Sequence, residues 1–75
     1  ELTPKEVEIL YLLASHPQQV FTRDHLLNSV WGYTYYGDTR SVDTHIKRIR
    51  AKLPEQFREW IKTIYGVGYK FEVNA

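Results

Sequence analysis

The sequence predicts a mainly α-helical domain in which three helices precede a small β-hairpin. Two observations support this prediction. Apolar residues recur at helical spacing in three segments, each bounded by capping residues, glycine or proline. Residues 60–73 instead contain two β-rich runs on either side of Gly66-Val67-Gly68, as in a hairpin. The order of elements, helix, helix, loop, helix and hairpin, is typical of a winged helix-turn-helix.

The length and composition limit the possible classes of protein. The 75 residues allow one small domain, and the absence of cysteine excludes disulfides and a Cys-based zinc site. No apolar run reaches the length of a membrane span, and no signal peptide is visible, so a membrane partner is not expected. Because the chain lacks an initiating Met, we expect residues 1–75 to be one domain of a longer protein.

The first helix is predicted to begin after Thr3. This residue is a candidate N-cap, Pro4 suits the first helical position, and Glu6 completes a capping box. The helix is apolar over most of its circumference, which predicts burial on more than one side. The residue before Pro17 disfavours helical geometry, so the helix is expected to end there.

The second helix is predicted over residues 23–31. Thr22 is its candidate N-cap, and Asp24 lies in the first turn, where the helix dipole favours an anion. Gly32 is a suitable C-terminal stop. Residues 32–38, Gly-Tyr-Thr-Tyr-Tyr-Gly-Asp, show no helical period and predict a loop.

The third helix, about residues 39–53, combines an apolar stripe with positive charge. Asp38 or Thr39 is expected to cap it, and Pro54 to end it. The stripe falls at steps of four, three and four and consists of Val42, Ile46, Ile49 and Leu53. The other sides carry a single acid, Asp43, beside five bases, Arg40, Lys47, Arg48, Arg50 and Lys52. Such a helix suits the DNA major groove, which is wide enough to admit it.

The wing is predicted over about residues 60–73, after a connector at 54–59. Tyr69, Phe71 and Val73 alternate with polar residues, which predicts one buried face. Gly66 and Gly68 are expected to provide positive φ in the turn.

Charge is unevenly distributed along the chain. Residues 1–38 carry two bases and five acids, whereas residues 39–75 carry eight bases and four acids. The net charge of the whole chain is only +1, but positive potential is concentrated in the half that contains the third helix. The distribution therefore favours a polyanion as the partner, held by the second half of the chain. The third helix, suited to the major groove, makes double-stranded DNA the expected polyanion.

Four segments together resemble the DNA-binding effector domain of OmpR/PhoB-type bacterial response regulators. They are Leu2-Thr3-Pro4-Lys5-Glu6, residues 20–32 beginning Val-Phe-Thr-Arg-Asp, residues 40–53 and Ile64-Tyr65-Gly66-Val67-Gly68-Tyr69-Lys70-Phe71. The resemblance implies a sequence-specific transcription regulator of the bacterial cytoplasm that needs no cofactor. It also implies a receiver domain phosphorylated by a sensor histidine kinase, and head-to-tail dimers on direct repeats in promoters. We expect the receiver to lie outside residues 1–75, and the family's N-terminal sheet to be missing or truncated here.

The resemblance also assigns candidate DNA contacts, with the third helix in the major groove and the wing at the minor groove. The carried-over positions are Arg40, His45, Lys47, Arg48 and Arg50 on the helix, and Thr63 and Tyr69 at the wing. Tyr65 occupies a position where many members have a basic residue, which leaves stacking or a phosphate hydrogen bond as its contact.

The helical geometry refines these assignments. Arg40, Thr44, Lys47 and Ala51 lie opposite the stripe, with Arg48 at one edge. Arg is suited to bidentate contact with guanine, and Thr44 to a thymine methyl or a phosphate. Arg50 and His45 lie nearer the stripe and favour phosphate, although His45 also suits packing beside the stripe. Asp43 is interpreted as favourable to the helix dipole, with a second role in holding a neighbouring arginine left open.

The loop tyrosines, Tyr33, Tyr35 and Tyr36, have two interpretations. They cover the core, or they form a partner surface, since aromatic residues are enriched at interfaces. The resemblance points to RNA polymerase as that partner.

Other functions find little support in the residues. No Ser/His/Asp or Cys/His set falls on a catalytic motif, so no enzyme is expected, and the three histidines lack metal-ligand spacing. The remaining alternative is a winged helix whose third helix is buried in a protein partner. Binding that weakens steeply with salt would favour DNA over this alternative.

Overall fold

The computed structural model describes residues 1–32 and 38–73. In chain order the elements are α1 (Pro4–Ser15), β1 (Phe21–Thr22), α2 (Arg23–Trp31), α3 (Arg40–Lys52), α4 (Glu55–Arg58), β2 (Ile61–Ile64) and β3 (Gly68–Phe71). The three predicted helices and the hairpin are present. The connector expected at 54–59 instead contains the one-turn helix α4, and residues 1–3 ahead of α1 form no strand.

The start of α1 matches the predicted capping box. The Glu6 amide donates to Thr3 Oγ1 at 3.3 Å, and the Thr3 amide donates to Glu6 Oε1 at 2.9 Å. Ile9 and Leu13 are fully buried. Leu10 and Leu12 pack partly against the core, and α1 contacts α2, α3 and β3, so burial on more than one side is confirmed. It does not extend around the whole helix, since Val7 is 48% and Tyr11 73% exposed.

The apolar stripe of α3 packs into the centre of the molecule. Val42, Ile46 and Ile49 are almost completely buried, and α1 and α2 pack against this helix. Asp38 rather than Thr39 caps α3, since Asp38 Oδ1 accepts the Arg40 amide at 2.9 Å and the Thr39 side chain makes no cap bond. The core consists of Ile9, Leu13, Phe21, Leu26, Leu27, Val42, Ile46, Ile49, Ile61 and Tyr69.

The sheet has three antiparallel strands in the order β1-β3-β2, where the sequence predicts only a hairpin. Phe21 pairs with Tyr69 across β1 and β3, and Thr63 pairs with Tyr69 across β2 and β3. β1 has only two residues and runs directly into the α2 cap, so it has no alternating pattern to detect. The pairing of β1 with β3 therefore joins the wing to the segment that precedes α2.

The two hairpin glycines are required for different physical reasons. Gly66 has φ +78° and supplies the turn, as predicted. Gly68 has no positive φ, and the expectation that it does is wrong. It lies in the central strand, where an added Cβ would stand 1.9 Å from the carbonyl oxygen of Phe21. Close approach of β1 and β3 therefore demands glycine at position 68.

An aromatic cluster covers the end of the sheet next to α4. The ring centroids of Phe57 and Trp60 lie 4.7 Å apart, and those of Trp60 and Phe71 lie 6.0 Å apart. All three side chains are half-buried, so they border the core rather than fill it. Val73 lies past the end of β3 and is exposed, contrary to the alternation predicted for it.

Candidate nucleic-acid interface

The outward face of α3 carries the exposed members of the predicted contact set. Its exposed residues are Arg48 at one edge of this face and, opposite the stripe, Arg40, Thr44, Lys47 and Ala51. Lys47 and Arg48 have neither an ion pair nor a hydrogen bond within residues 1–32 and 38–73. Since the opposite stripe is buried, the helix cannot rotate these two charges away from solvent.

Arg40 is exposed but already has an anionic partner. Its Nη2 lies 2.7 Å and its Nε 2.8 Å from Asp38 Oδ2, although 86% of the side chain remains accessible. The guanidinium and the Arg40 amide both hold the pKa of Asp38 below its usual range. Thr44 is exposed too, and its hydroxyl donates to the Arg40 carbonyl at 3.2 Å. Full engagement of Arg40 with another anion requires it to share or leave Asp38.

His45 packs beside the stripe, the second of the two interpretations given for it. Its Nδ1 donates to the Ser41 carbonyl at 2.7 Å, one turn earlier in α3. Its ring meets that of Trp31 nearly edge-on, with centroids 5.0 Å apart. The half-buried imidazole therefore joins α3 to the end of α2.

Arg50 is turned toward the hairpin. Its Nη2 donates to the Ile61 carbonyl at 2.6 Å and to Thr63 Oγ1 at 2.9 Å. The guanidinium also lies 5.8 Å from the centre of the Tyr69 ring. Two of the predicted contacts, Arg50 and Thr63, are thus bonded to each other, and the pair joins α3 to β2.

Tyr69 does not reach the surface as the predicted contact set requires. It is only 5% exposed, and its hydroxyl donates to Asp43 Oδ1. Burial and this hydrogen bond raise the pKa of Tyr69, so the phenol stays protonated. The geometry does not support a direct DNA contact at Tyr69 and assigns the residue to the core instead.

Asp43 is the centre of a polar cluster, which answers the question left open at the sequence level. Arg23 Nε donates to Asp43 Oδ1 at 2.8 Å, and the same oxygen accepts from Tyr69. Burial raises the pKa of Asp43, but the bonds from Tyr69 and Arg23 outweigh it, and the net pKa lies below the usual range. The carboxylate is therefore ionised and bonded to two other elements.

Glu6 has a partner that the sequence does not reveal. The residue is 1% exposed, and Lys52 Nζ, in the last turn of α3, lies 2.8 Å from Glu6 Oε1. The hydrogen bonds from Lys52 and the Thr3 amide hold the pKa of Glu6 below 4.5. The capping residue of α1 thus also anchors the end of the cationic helix.

An open, basic cleft lies between α4 and the hairpin. Its lining consists of Arg50, Arg58, Glu59, Ile61, Lys62, Thr63 and Tyr65. Tyr65 is 90% exposed beside the turn. Lys62 lies directly opposite Lys70 across the strands, and Lys70 is neutralised by Glu72 at 3.0 Å. The described acids thus leave Lys62 unpaired and the wing positive.

Three further predictions concern the loop tyrosines, metal binding and membrane spans. Tyr33, Tyr35 and Tyr36 are outside the described residues. Within residues 1–32 and 38–73, no group of three or more His, Cys, Asp or Glu is placed to hold a metal ion. The helices of this part of the chain are all too short or too polar to cross a membrane.

This fold and this cationic face define a class, the winged-helix domains found in DNA-binding response regulators. Residues 1–71 match the family described as "Transcriptional regulatory protein, C terminal". The chain belongs to this family, the C-terminal effector domains of OmpR/PhoB-type response regulators. It is accordingly a transcription regulator domain and not an enzyme.

Individual relatives agree with this assignment. The transcriptional regulatory protein ResD of Bacillus subtilis is 55% identical over 78 residues, which cover 99% of this chain and 32% of ResD. The DNA-binding domain of B. subtilis CssR is 39% identical, with a TM-score of 0.86 over 95% of this chain and 77% of that one. The Klebsiella pneumoniae RstA DNA-binding domain, solved in complex with the RstA box, is 38% identical, with a TM-score of 0.77 over 96% and 73%. The chain spans about a third of the length of the curated relatives that it matches.

Proposed function

We propose that this chain binds double-stranded promoter DNA sequence-specifically, with α3 in the major groove and the wing at the adjacent minor groove. The observation that carries the proposal is the pair of exposed cations, Lys47 and Arg48, which have no acid among the described residues. Charged side chains at a protein surface normally interact with water or with opposite charges. Two adjacent unpaired cations on a rigidly held helix are suited to phosphates and base edges.

The candidate residues on α3 form two groups, those that would contact DNA and those that hold the helix in place. Lys47 and Arg48 lie on the exposed face, next to the small side chain of Ala51, which permits close approach to base edges. Arg40 joins them when it exchanges Asp38 for a phosphate or a guanine. Thr44 contributes a methyl group, since its hydroxyl is bonded to the Arg40 carbonyl. Arg50 and His45 act chiefly by fixing the helix, because both are bonded within the fold.

The wing supplies a second contact. Tyr65 projects beside the turn, and Lys62 adds a cation in the basic cleft. A phenol has no charge, so Tyr65 would stack or donate a hydrogen bond to a phosphate without adding counterion release. Thr63, in β2, is bonded to Arg50. This wing would therefore depend less on salt than one with an arginine at position 65.

We infer from the family resemblance that residues 1–75 are part of a longer response regulator. The curated relatives are about three times the length of this chain, which supports residues 1–75 being one domain of a regulator with a receiver domain. We infer that a sensor histidine kinase phosphorylates that receiver in the bacterial cytoplasm. The domain would bind direct repeats as a head-to-tail dimer and contact RNA polymerase through residues 33–36.

Selection of duplexes from a random pool, followed by titration of the selected site, tests the DNA-binding proposal. We expect the parent affinity to fall steeply with salt, by about 0.9 log units per tenfold salt increase for each phosphate contacted. Lys47→Ala and Arg48→Ala should each weaken binding by up to about tenfold. Lys5→Gln removes a charge from α1 rather than from α3, and should bind as the parent does. Because Lys5 also donates to the Val30 carbonyl, the melting temperature of this control is measured as well.

Two outcomes would contradict the proposal. If Lys47→Ala and Arg48→Ala both bind the selected duplex as tightly as the parent, α3 is not in the major groove. If no duplex is enriched, and any binding to random DNA is insensitive to salt, the third helix is instead a protein-binding surface. The melting temperatures of Lys47→Ala and Arg48→Ala should match that of the parent, because both side chains are exposed.

A further inference from the structure

We propose that Asp43 is a positioning residue that holds the wing at a fixed place relative to the recognition helix. The inference rests on the proposed function, since it concerns how the two DNA-contacting elements are held together. It gives an acid on a cationic helix a role beyond the helix dipole. The supporting observation is a closed ring of contacts between α3 and the hairpin.

The first half of the ring passes through Asp43. Its Oδ1 accepts a hydrogen bond from the Tyr69 hydroxyl in β3. The same oxygen accepts from Nε of Arg23, the first residue of α2, at 2.8 Å. Tyr69 is a core residue, so its hydroxyl occupies a fixed position. The Arg23 and Asp43 side chains are 34% and 37% exposed, which leaves their pair only partly screened by water. Three elements therefore meet at one carboxylate oxygen.

The second half of the ring passes through Arg50. This residue lies seven positions after Asp43, about two helical turns along α3. Its guanidinium bonds to the Ile61 carbonyl and to Thr63 in β2. Thr63 and Tyr69 are directly paired across the two strands, which closes the ring. Because the hairpin is joined to α3 at two points about 10 Å apart, it cannot pivot against the helix.

The charge of Asp43 makes the proposal testable, because electrostatics and positioning predict opposite changes in the DNA affinity of Asp43→Asn. An acid on a DNA-binding helix repels phosphates, so electrostatics alone predicts that Asp43→Asn tightens binding. Positioning predicts the opposite, because Asn cannot provide the same charged acceptor for Arg23 and Tyr69. Asp38→Asn is the matched control: it removes the same charge from the same end of α3, while Asn can still cap the helix.

The experiment measures dissociation constants of folded variants for two duplexes. One contains the selected site with its flanking minor groove, and the other is shortened so that the wing has no DNA beneath it. On the long duplex we expect Asp43→Asn to bind about tenfold more weakly than the parent. Asp38→Asn should bind as tightly as the parent or more tightly. On the short duplex the loss for Asp43→Asn should largely disappear, which a general loss of folding would not produce.

Tyr69→Phe is the second variant, and it keeps the core ring while removing the hydroxyl. We expect a loss in the same direction, and the double variant with Asp43→Asn should bind no more weakly than Asp43→Asn alone. Tighter binding by Asp43→Asn, or unchanged binding by Tyr69→Phe, on the long duplex would overturn the proposal. A parent protein that binds neither duplex would instead refute the proposed function.

Discussion

Replacement of Gly68 by alanine should disrupt the sheet although it adds a single methyl group. The new Cβ would stand 1.9 Å from the Phe21 carbonyl oxygen and 2.9 Å from two further backbone atoms, Phe21 C and Thr22 Cα. Real Cβ atoms essentially never approach closer than 3.0 Å, so β1 and β3 must separate by about 1.1 Å. No side-chain rotation can relieve the clash, because all three atoms belong to the backbone.

The expected cost follows from this displacement. Insertion of a methyl group into a well-packed site usually costs about 1–3 kcal/mol, and the rigid neighbours place Gly68→Ala near 3 kcal/mol. In a domain of this size, each kcal/mol shifts the melting temperature by about 4–8 °C. Circular dichroism should therefore show a melting temperature lower by about 12–24 °C, and DNA affinity should fall because the sheet carries the wing.

Gly66 provides the control two residues away. An added Cβ there meets nothing within 4 Å, and the only penalty comes from its φ of +78°. Asparagine tolerates that conformation, so Gly66→Asn should cost less than about 1 kcal/mol. The melting temperature should then fall by less than about 8 °C. If Gly68→Ala melts within about 4 °C of the parent, the explanation of Gly68 by close strand approach is wrong.

Two further predictions concern acid stability and the loop. Because Lys52 holds the pKa of Glu6 below 4.5, the ion pair stabilises the fold fully above that pH and is lost as pH falls through the lowered pKa. Thermal melts between pH 7 and pH 3 test this. The melting temperature of the parent should exceed that of Glu6→Gln at neutral pH, and the difference should disappear below pH 4.5. The control Glu8→Gln, on the exposed side of α1, should melt as the parent does at every pH. Replacement of the tyrosines in residues 33–36 by serine should preserve affinity for DNA but reduce activation in a transcription assay with RNA polymerase. Weaker DNA binding by that variant would show that these side chains support the fold or the DNA contact.

Local signals predicted the three long helices, α1, α2 and α3, accurately, but missed the one-turn helix α4. The second helix was expected over residues 23–31 and lies there, and α3 is shorter than expected by one residue at each end. Capping residues, proline and the apolar stripe act within one or two helical turns. They are therefore readable from spacing alone, and the same spacing identified the face on which Lys47 and Arg48 are exposed.

Contacts between distant segments could not be predicted in the same way. Asp43 and Tyr69 are separated by 26 residues, and nothing in their spacing indicates that they share a hydrogen bond. The family resemblance placed Tyr69 among the DNA contacts, although the alternation in the wing predicted that its face is buried. Asp43 was assigned to the helix dipole, and its role in holding an arginine stayed open. Gly68 illustrates the same limit, because the strand that excludes a side chain there consists of only Phe21 and Thr22.

The double role of Glu6 also affects the entropy of folding. The capping box involves only residues 3–6, so it orders this carboxylate together with the first turn of α1. Lys52 then approaches, 46 residues later in the chain, and binds an acceptor whose rotamer is already fixed. Ordering a long side chain costs up to about 2 kcal/mol, and here only the lysine incurs that cost when the contact forms. A local cap thus prepares one end of a long-range ion pair in advance.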